Sequence, residues 1–69
     1  MPMNLLSPGE EGLVQKIGGK PETRQHLENL GFVVGSTVKL IAEMSGNVIV
    51  NVKDSRVAIS RELAAKIYV

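Results

Sequence analysis

Sixty-nine residues with a formal net charge of +1 leave room for one small domain. Cysteine is absent, which excludes disulfides and thiolate metal sites together, so aliphatic packing or a partner must hold the fold. The eight Lys and Arg residues are scattered and only one Phe and one Tyr accompany them, a poor basis for a nucleic-acid face.

The segment Met1-Pro2-Met3-Asn4-Leu5-Leu6 has neither a basic start nor a cleavage pattern, so no secretion signal is expected. No apolar run approaches the ~20 residues that a membrane-spanning helix needs, and the default location is the cytoplasm. Met1 and Met3 read as an apolar arm or a frayed terminus. Ser7-Pro8-Gly9 is a turn, because Pro fixes φ and Gly opens the left-handed region. A first strand is expected over residues 11–17. Its apolar positions, Leu13, Val14 and Ile17, do not alternate cleanly, which points to a bulge. Gly18-Gly19 ends it.

Pro21 suits the first position of a helix, where its missing N–H had no partner in any case, and Glu22 beside it favours the positive end of the helix dipole. Thr23, Leu27 and Leu30 share one face, while Arg24 and Glu28 are spaced to pair at i,i+4. Gly31 falls just past the end. The result is a helix of two to three turns, too short to stand alone in water. Phe32, immediately after it, reads as a core plug.

Gly35-Ser36 opens a second strand with Val38, Leu40, Ala42 and Met44 on one face and Lys39 and Glu43 on the other. A third strand over 48–53 places Val48, Val50 and Val52 together. Matching these faces in an antiparallel hairpin pairs Met44 with Val48, Ala42 with Val50 and Leu40 with Val52, around a three-residue Ser45-Gly46-Asn47 loop. The same reasoning closes the next hairpin with a two-residue Asp54-Ser55 loop, pairing Val52 with Val57 and Val50 with Ile59. Ser60 is placed to cap a single helical turn over 61–65, and Lys66-Ile67-Tyr68-Val69 returns to strand. The expected fold is mainly β. It is a small SH3-like barrel of about five strands, with the short helix over one open end and a one-turn helix before the last strand.

No catalytic constellation stands out. Gly18-Gly19-Lys20 is followed by Pro21 where a phosphate loop would carry Ser or Thr, so it is a turn. His26 is the sole imidazole. Glu22, one turn earlier, makes the two the only candidate metal ligands, but two ligands form a weak site and a solvated helix histidine is the plainer reading. Arg24, Arg56 and Arg61, with Lys20, are candidates for a basic docking rim around the helix and the barrel mouth; ordinary solvated charges are the bland alternative. Ile41 and Ile49 face away from the Val38/Leu40 and Val48/Val50 sets, either covered by the rest of the barrel or forming an exposed contact patch.

Taken in order, Gly12, Arg24 and Leu27, Leu30-Gly31-Phe32, Gly35, the strand from Val38 to Ala42, Gly46, the strand from Val48 to Val52, Val57-Ala58-Ile59, Ala64 and Ile67-Tyr68-Val69 are arranged as in the FeoA family. The chain resembles these small proteins of bacterial ferrous-iron uptake over nearly its whole length. Asn47 departs from the pattern, since many members carry Pro after that Gly. The resemblance implies an SH3-like barrel without catalysis or cofactor. It further implies a cytoplasmic accessory protein that docks onto the cytosolic part of the FeoB-type membrane iron transporter, with no nucleic acid and no direct membrane insertion. Exposed strand edges leave room for weak self-association. A similar fold ends the DtxR-like metal-responsive repressors, but no helix-turn-helix segment precedes the barrel here. The alternatives are a small nucleic-acid-binding β-barrel and a detached metal-sensing or peptide-binding SH3-like module. Both peptide-binding and stacking surfaces need more aromatics than Phe32 and Tyr68 provide.

Overall fold

The computed structural model describes residues 1–69. A 3₁₀ turn over Met3–Leu5 is followed by strands β1 (Glu11–Leu13) and β2 (Lys16–Ile17), helix α1 (Pro21–Asn29) and strands β3 (Thr37–Met44), β4 (Asn47–Val52) and β5 (Ser55–Ser60). A one-turn helix α2 (Arg61–Ala64) and strand β6 (Ile67–Tyr68) complete the chain. Four strands form one antiparallel sheet in the order β1-β3-β4-β5, and β2 pairs with β6 in a second.

The expected first strand is present but switches sheets halfway. The Val14 N–H donates to the Ser36 carbonyl at 2.8 Å, on the β3 side, whereas the next residue, Gln15, donates to the Tyr68 carbonyl at 2.7 Å, on the β6 side. Two residues thus carry the chain from one sheet to the other, which is why the apolar positions of this segment refuse to alternate. Pro2 bridges to Tyr68 beyond β6, and the Val69 N–H donates to the Met1 carbonyl at 2.8 Å. The hydrogen-bonded ladder therefore runs from residues 1–2 through β6, the β2/β1 segment, β3 and β4, and ends at β5.

Helix α1 starts at Pro21 as expected and ends in a Schellman arrangement. The Phe32 N–H donates to the Leu27 carbonyl at 3.0 Å and the Gly31 N–H to the Glu28 carbonyl at 2.9 Å, with Gly31 at φ +109°. Leu27 and Phe32, which the motif brings together, are both fully buried. The Arg24–Glu28 ion pair does not form; the sole salt bridge joins Arg61 to Glu43, and the i,i+4 contact on α1 is a 3.0 Å hydrogen bond from Gln25 to Asn29. Ser60 caps α2, its Oγ accepting from the Leu63 N–H at 3.2 Å.

Three expectations are overturned. Met3 is fully buried, because the 3₁₀ turn folds Met3 and Leu6 into the core, so only Met1 and Leu5 remain exposed at this end. The β3–β4 hairpin closes with two residues, Ser45 (φ +49°) and Gly46 (φ +82°), and pairs Met44 with Asn47, Glu43 with Val48 and Ala42 with Ile49. A bulge at Ile41 then resets the register, so that Leu40 meets Val50 and Val38 meets Val52. The face conflict that demanded an odd loop is resolved inside the strand, and Met44 is exposed where a core position was expected. Finally, the β4–β5 turn is Lys53-Asp54, both at positive φ, and not Asp54-Ser55. Val50 meets Val57 and Val48 meets Ile59, a shift of two residues that keeps every side chain on its expected face.

Fourteen apolar residues form the core, with no buried polar or charged residue among them. Val38, Leu40, Val48, Val50, Val52 and Ile59 line the inner face of the four-stranded sheet, and Phe32, Leu27, Val14, Ile17, Ile67, Met3, Leu6 and Ala64 fill the space beneath.

Candidate docking face

The outer face of the four-stranded sheet is built by the same alternation that buries the valines. Residues directly opposite each other across strands share a face, which places Glu11, Lys39, Asn51 and Arg56 in one row across β1, β3, β4 and β5. The neighbouring row holds Ala42, Ile49 and Ala58. The bulge adds a fourth apolar residue to it, since Ile41 and Ala42 both stand opposite Ile49. Ile41, Ala42 and Ile49 are half-buried and Ala58 is exposed. Met44, 60% exposed and paired with Asn47, borders this row on its far side. An apolar strip thus crosses the sheet between a charged row and a rim of Met44, Asn47 and Ser60.

The sequence-predicted basic residues do not come together. Arg56 lies in the charged row near the start of β5, whereas Arg61 follows its end. Five residues of extended strand separate the two by about 16 Å. The Arg61 Nε lies 3.7 Å from a Glu43 carboxylate oxygen, and its backbone N–H donates to the Gly46 carbonyl at 3.1 Å, so it belongs to the β3–β4 turn. Arg24 and Lys20 are exposed at the α1 end of the molecule. Arg24, Arg56 and Lys39 have no carboxylate within 4.0 Å. Glu22 and His26 sit exposed one turn apart on α1, and no group of three or more His, Cys, Asp or Glu side chains is assembled anywhere in the chain.

An open concavity of about 450 Å³ lies against the charged row and the β4–β5 turn, lined by Glu11, Ser36, Lys39, Asn51, Lys53 and Asp54 among others. Its lining carries both signs of charge and a single hydrophobic residue, unlike the mostly apolar pockets that enclose small ligands. Sequence reasoning singled out Ile41, Ile49 and Arg56 but missed Ala42, Ala58 and Lys39. Ala42 was assigned to the core face because the bulge carries no local sequence signature. Ala58 and Lys39 follow from alternation once the register is known. No helix of the chain is long and apolar enough to cross a membrane.

The class defined by this geometry is a small, mainly β, SH3-like protein that offers surfaces in place of an enclosed site. The FeoA domain family matches residues 1–69. A Methanocaldococcus jannaschii protein named for Fe(2+) transport, as protein A, is 40% identical over 68 residues, covering 99% of this chain and 83% of that protein. The crystal structure of an iron uptake regulatory protein, FeoA, superposes with a TM-score of 0.90 at 29% identity, covering 97% of this chain and 91% of the other. Stenotrophomonas maltophilia FeoA in complex with zinc, described as an SH3 domain protein, superposes at 0.85 with 22% identity over 99% of this chain and 87% of its own. That last likeness speaks for the fold alone. The chain belongs to the FeoA family, whose members serve ferrous-iron transport.

Proposed function

We propose that this chain is a cytoplasmic accessory protein of ferrous-iron uptake, which acts by docking onto the cytosolic part of a FeoB-type transporter and turns over no substrate itself. Family membership supplies the transport context. The observation that carries the docking surface is the apolar strip of Ile41, Ala42, Ile49 and Ala58, flanked by Lys39 and Arg56, whose charges have no carboxylate within 4.0 Å. Apolar area supplies the affinity of such a contact, and free basic groups at its border steer and orient an acidic partner surface. Arg24 and Arg61 lie outside the strip and are secondary candidates.

The test is binding of the purified chain to a purified FeoB cytosolic part, read by calorimetry. Ile49→Thr keeps a β-branched side chain in the strand but makes it polar, and Arg56→Glu reverses the bordering charge. Each is expected to weaken binding roughly tenfold, about 1.4 kcal/mol, with unchanged circular dichroism. Full affinity in both variants would move the docking surface elsewhere. No binding by the unaltered chain would remove the docking reading itself.

A further inference from the structure

We infer that β5 is a pairing edge for a second copy of this chain, joined antiparallel about a twofold axis at Ala58. The turn before β5 fixes which way its backbone groups point. The Lys53-Asp54 turn has positive φ at both residues and is closed by Val52 and Ser55. In a two-residue hairpin the closing pair is hydrogen-bonded, and bonded pairs then recur at every second residue. Ser55, Val57 and Ile59 thus bond to β4. Arg61 keeps the same parity, its N–H donating to the Gly46 carbonyl. Arg56, Ala58 and Ser60 turn their N–H groups the other way. No hydrogen bond outside the ladder reaches the backbone of Arg56 or Ala58.

Exposed edges are usually blunted by Pro, bulges, inward charges or shortness. The other end of the ladder is blunted in this way, since Pro2 has no N–H to offer beyond β6. β5 has one charged side chain, Arg56, and otherwise none of these devices: it spans six residues without Pro, Gly or bulge. Its composition is instead self-complementary. With Ala58 facing its own symmetry mate, Val57 meets Ile59 of the second copy and Arg56 meets Ser60, so no like charges stand opposite each other. Val57 is half-buried in the single chain, and the pairing would cover it. Four main-chain bonds form: two between the Ala58 residues, and one from each Ser60 N–H to the Arg56 carbonyl opposite.

The same register makes the outer face continuous. The apolar row would run Ala42, Ile49, Ala58 and then Ala58, Ile49, Ala42 of the second copy, doubling the strip rather than occluding it. An edge of this length buries less than the roughly 800 Å² per partner of a standard interface. The association is therefore weak, in the high-micromolar to millimolar range, and an unrelated extended segment is the competing occupant.

The test uses the purified chain alone, so its outcome is independent of transporter docking. As concentration is raised until most of the sample is paired, amide exchange at Ala58 and Ser60, the donors of the four bonds, should slow, by about tenfold when nine-tenths is paired. Ser55, Val57 and Ile59 should not change. Ala58→Lys and Ala58→Glu each place like charges on the axis and should each abolish association, while an equimolar mixture should restore it. Both substitutions are at an exposed position, and circular dichroism verifies folding. Exchange that does not depend on concentration, variants that associate like the unaltered chain, or a mixture that stays monomeric would each overturn the inference. So would protection of these amides only on adding FeoB cytosolic part, which assigns the edge to a different partner.

Discussion

Gly12 is the position where the packing makes its sharpest demand. A Cβ at this residue would lie 2.9 Å from the Cβ of Val69 and 3.1 and 3.2 Å from its two Cγ atoms. The closest atom is the branch point of a side chain, which rotation about χ1 does not move. Nor is the Val69 backbone free to withdraw, since its N–H is bonded to the Met1 carbonyl and the preceding carbonyl, of Tyr68, is bonded to Gln15. Gly12→Ala is therefore an overpacking substitution, expected to cost about 1–3 kcal/mol. A chain of this length has a total stability of about 3–10 kcal/mol, so the substitution removes a large share of it. The melting temperature should fall by about 4–8 °C for each kcal/mol lost.

The second arm of the experiment isolates the cause. Gly12 has no positive φ, so its backbone suits any residue. With the obstruction removed by Val69→Gly, the Gly12→Ala change should be neutral or stabilising by about 0.4–1 kcal/mol, through reduced freedom of the unfolded chain. The sign of one substitution thus reverses with the identity of a residue 57 positions away in sequence. Urea unfolding of the four proteins in the cycle, followed by circular dichroism, measures the coupling. A Gly12→Ala cost that is the same in both backgrounds would refute the contact and, with it, the seating of Val69 against β1.

Two further outcomes probe the local chemistry. Replacing Lys53-Asp54 by Asn-Gly should stabilise the chain by about 1 kcal/mol, because both residues occupy the left-handed region that Asn and Gly tolerate best; unchanged or reduced stability in urea would put the turn elsewhere, as in the Asp54-Ser55 alternative. Ser60→Ala removes the acceptor of the Leu63 N–H and should cost about 0.5–2 kcal/mol, with faster amide exchange at Leu63 as the local signature.

The elements were legible because each has its own chemistry: Pro21 and Gly31 bracket α1, Ser60 starts α2, and the alternating valines mark β4. Register was legible only in part. The inner face of β4 forced the right set of residues into the core, but a period of two cannot separate registers that differ by two, hence the misplaced β4–β5 turn. The bulge at Ile41 was hidden more deeply. An odd loop and a bulge both shift parity by one, and the sequence supports either until the two-residue Ser45-Gly46 turn is seen. Met3 was misjudged for a different reason. Its burial depends on a 3₁₀ turn that meets the core only after β6 and α2 are in place, a contact between the two ends of the chain. Of the candidate site, Ile41 and Ile49 stand out in the sequence by the direction they face, and Arg56 by its charge. The expected cluster with Arg24 and Arg61 failed because charge gives no information about distance along a strand.

The bulge also explains why one sheet can serve two surfaces. Without it, the alternation that buries Val38 and Leu40 would carry Ala42 and Met44 into the core face as well, leaving Ile41 alone opposite the Ile49 side. With it, Glu43 moves to the inner side at the rim, where it reaches Arg61. Ala42 joins Ile41 and Ile49 outside. A single extra residue thus assembles the apolar strip and also ties the β3–β4 turn to the start of α2. The strip ends at Ala58, the residue on which the edge of β5 is centred. Substitutions at Ala58 therefore affect both surfaces, whereas Ile41 and Ile49 belong to the outer face alone. Docking that weakens at Ile49 while self-association is unchanged would separate the two functions on one strand pair.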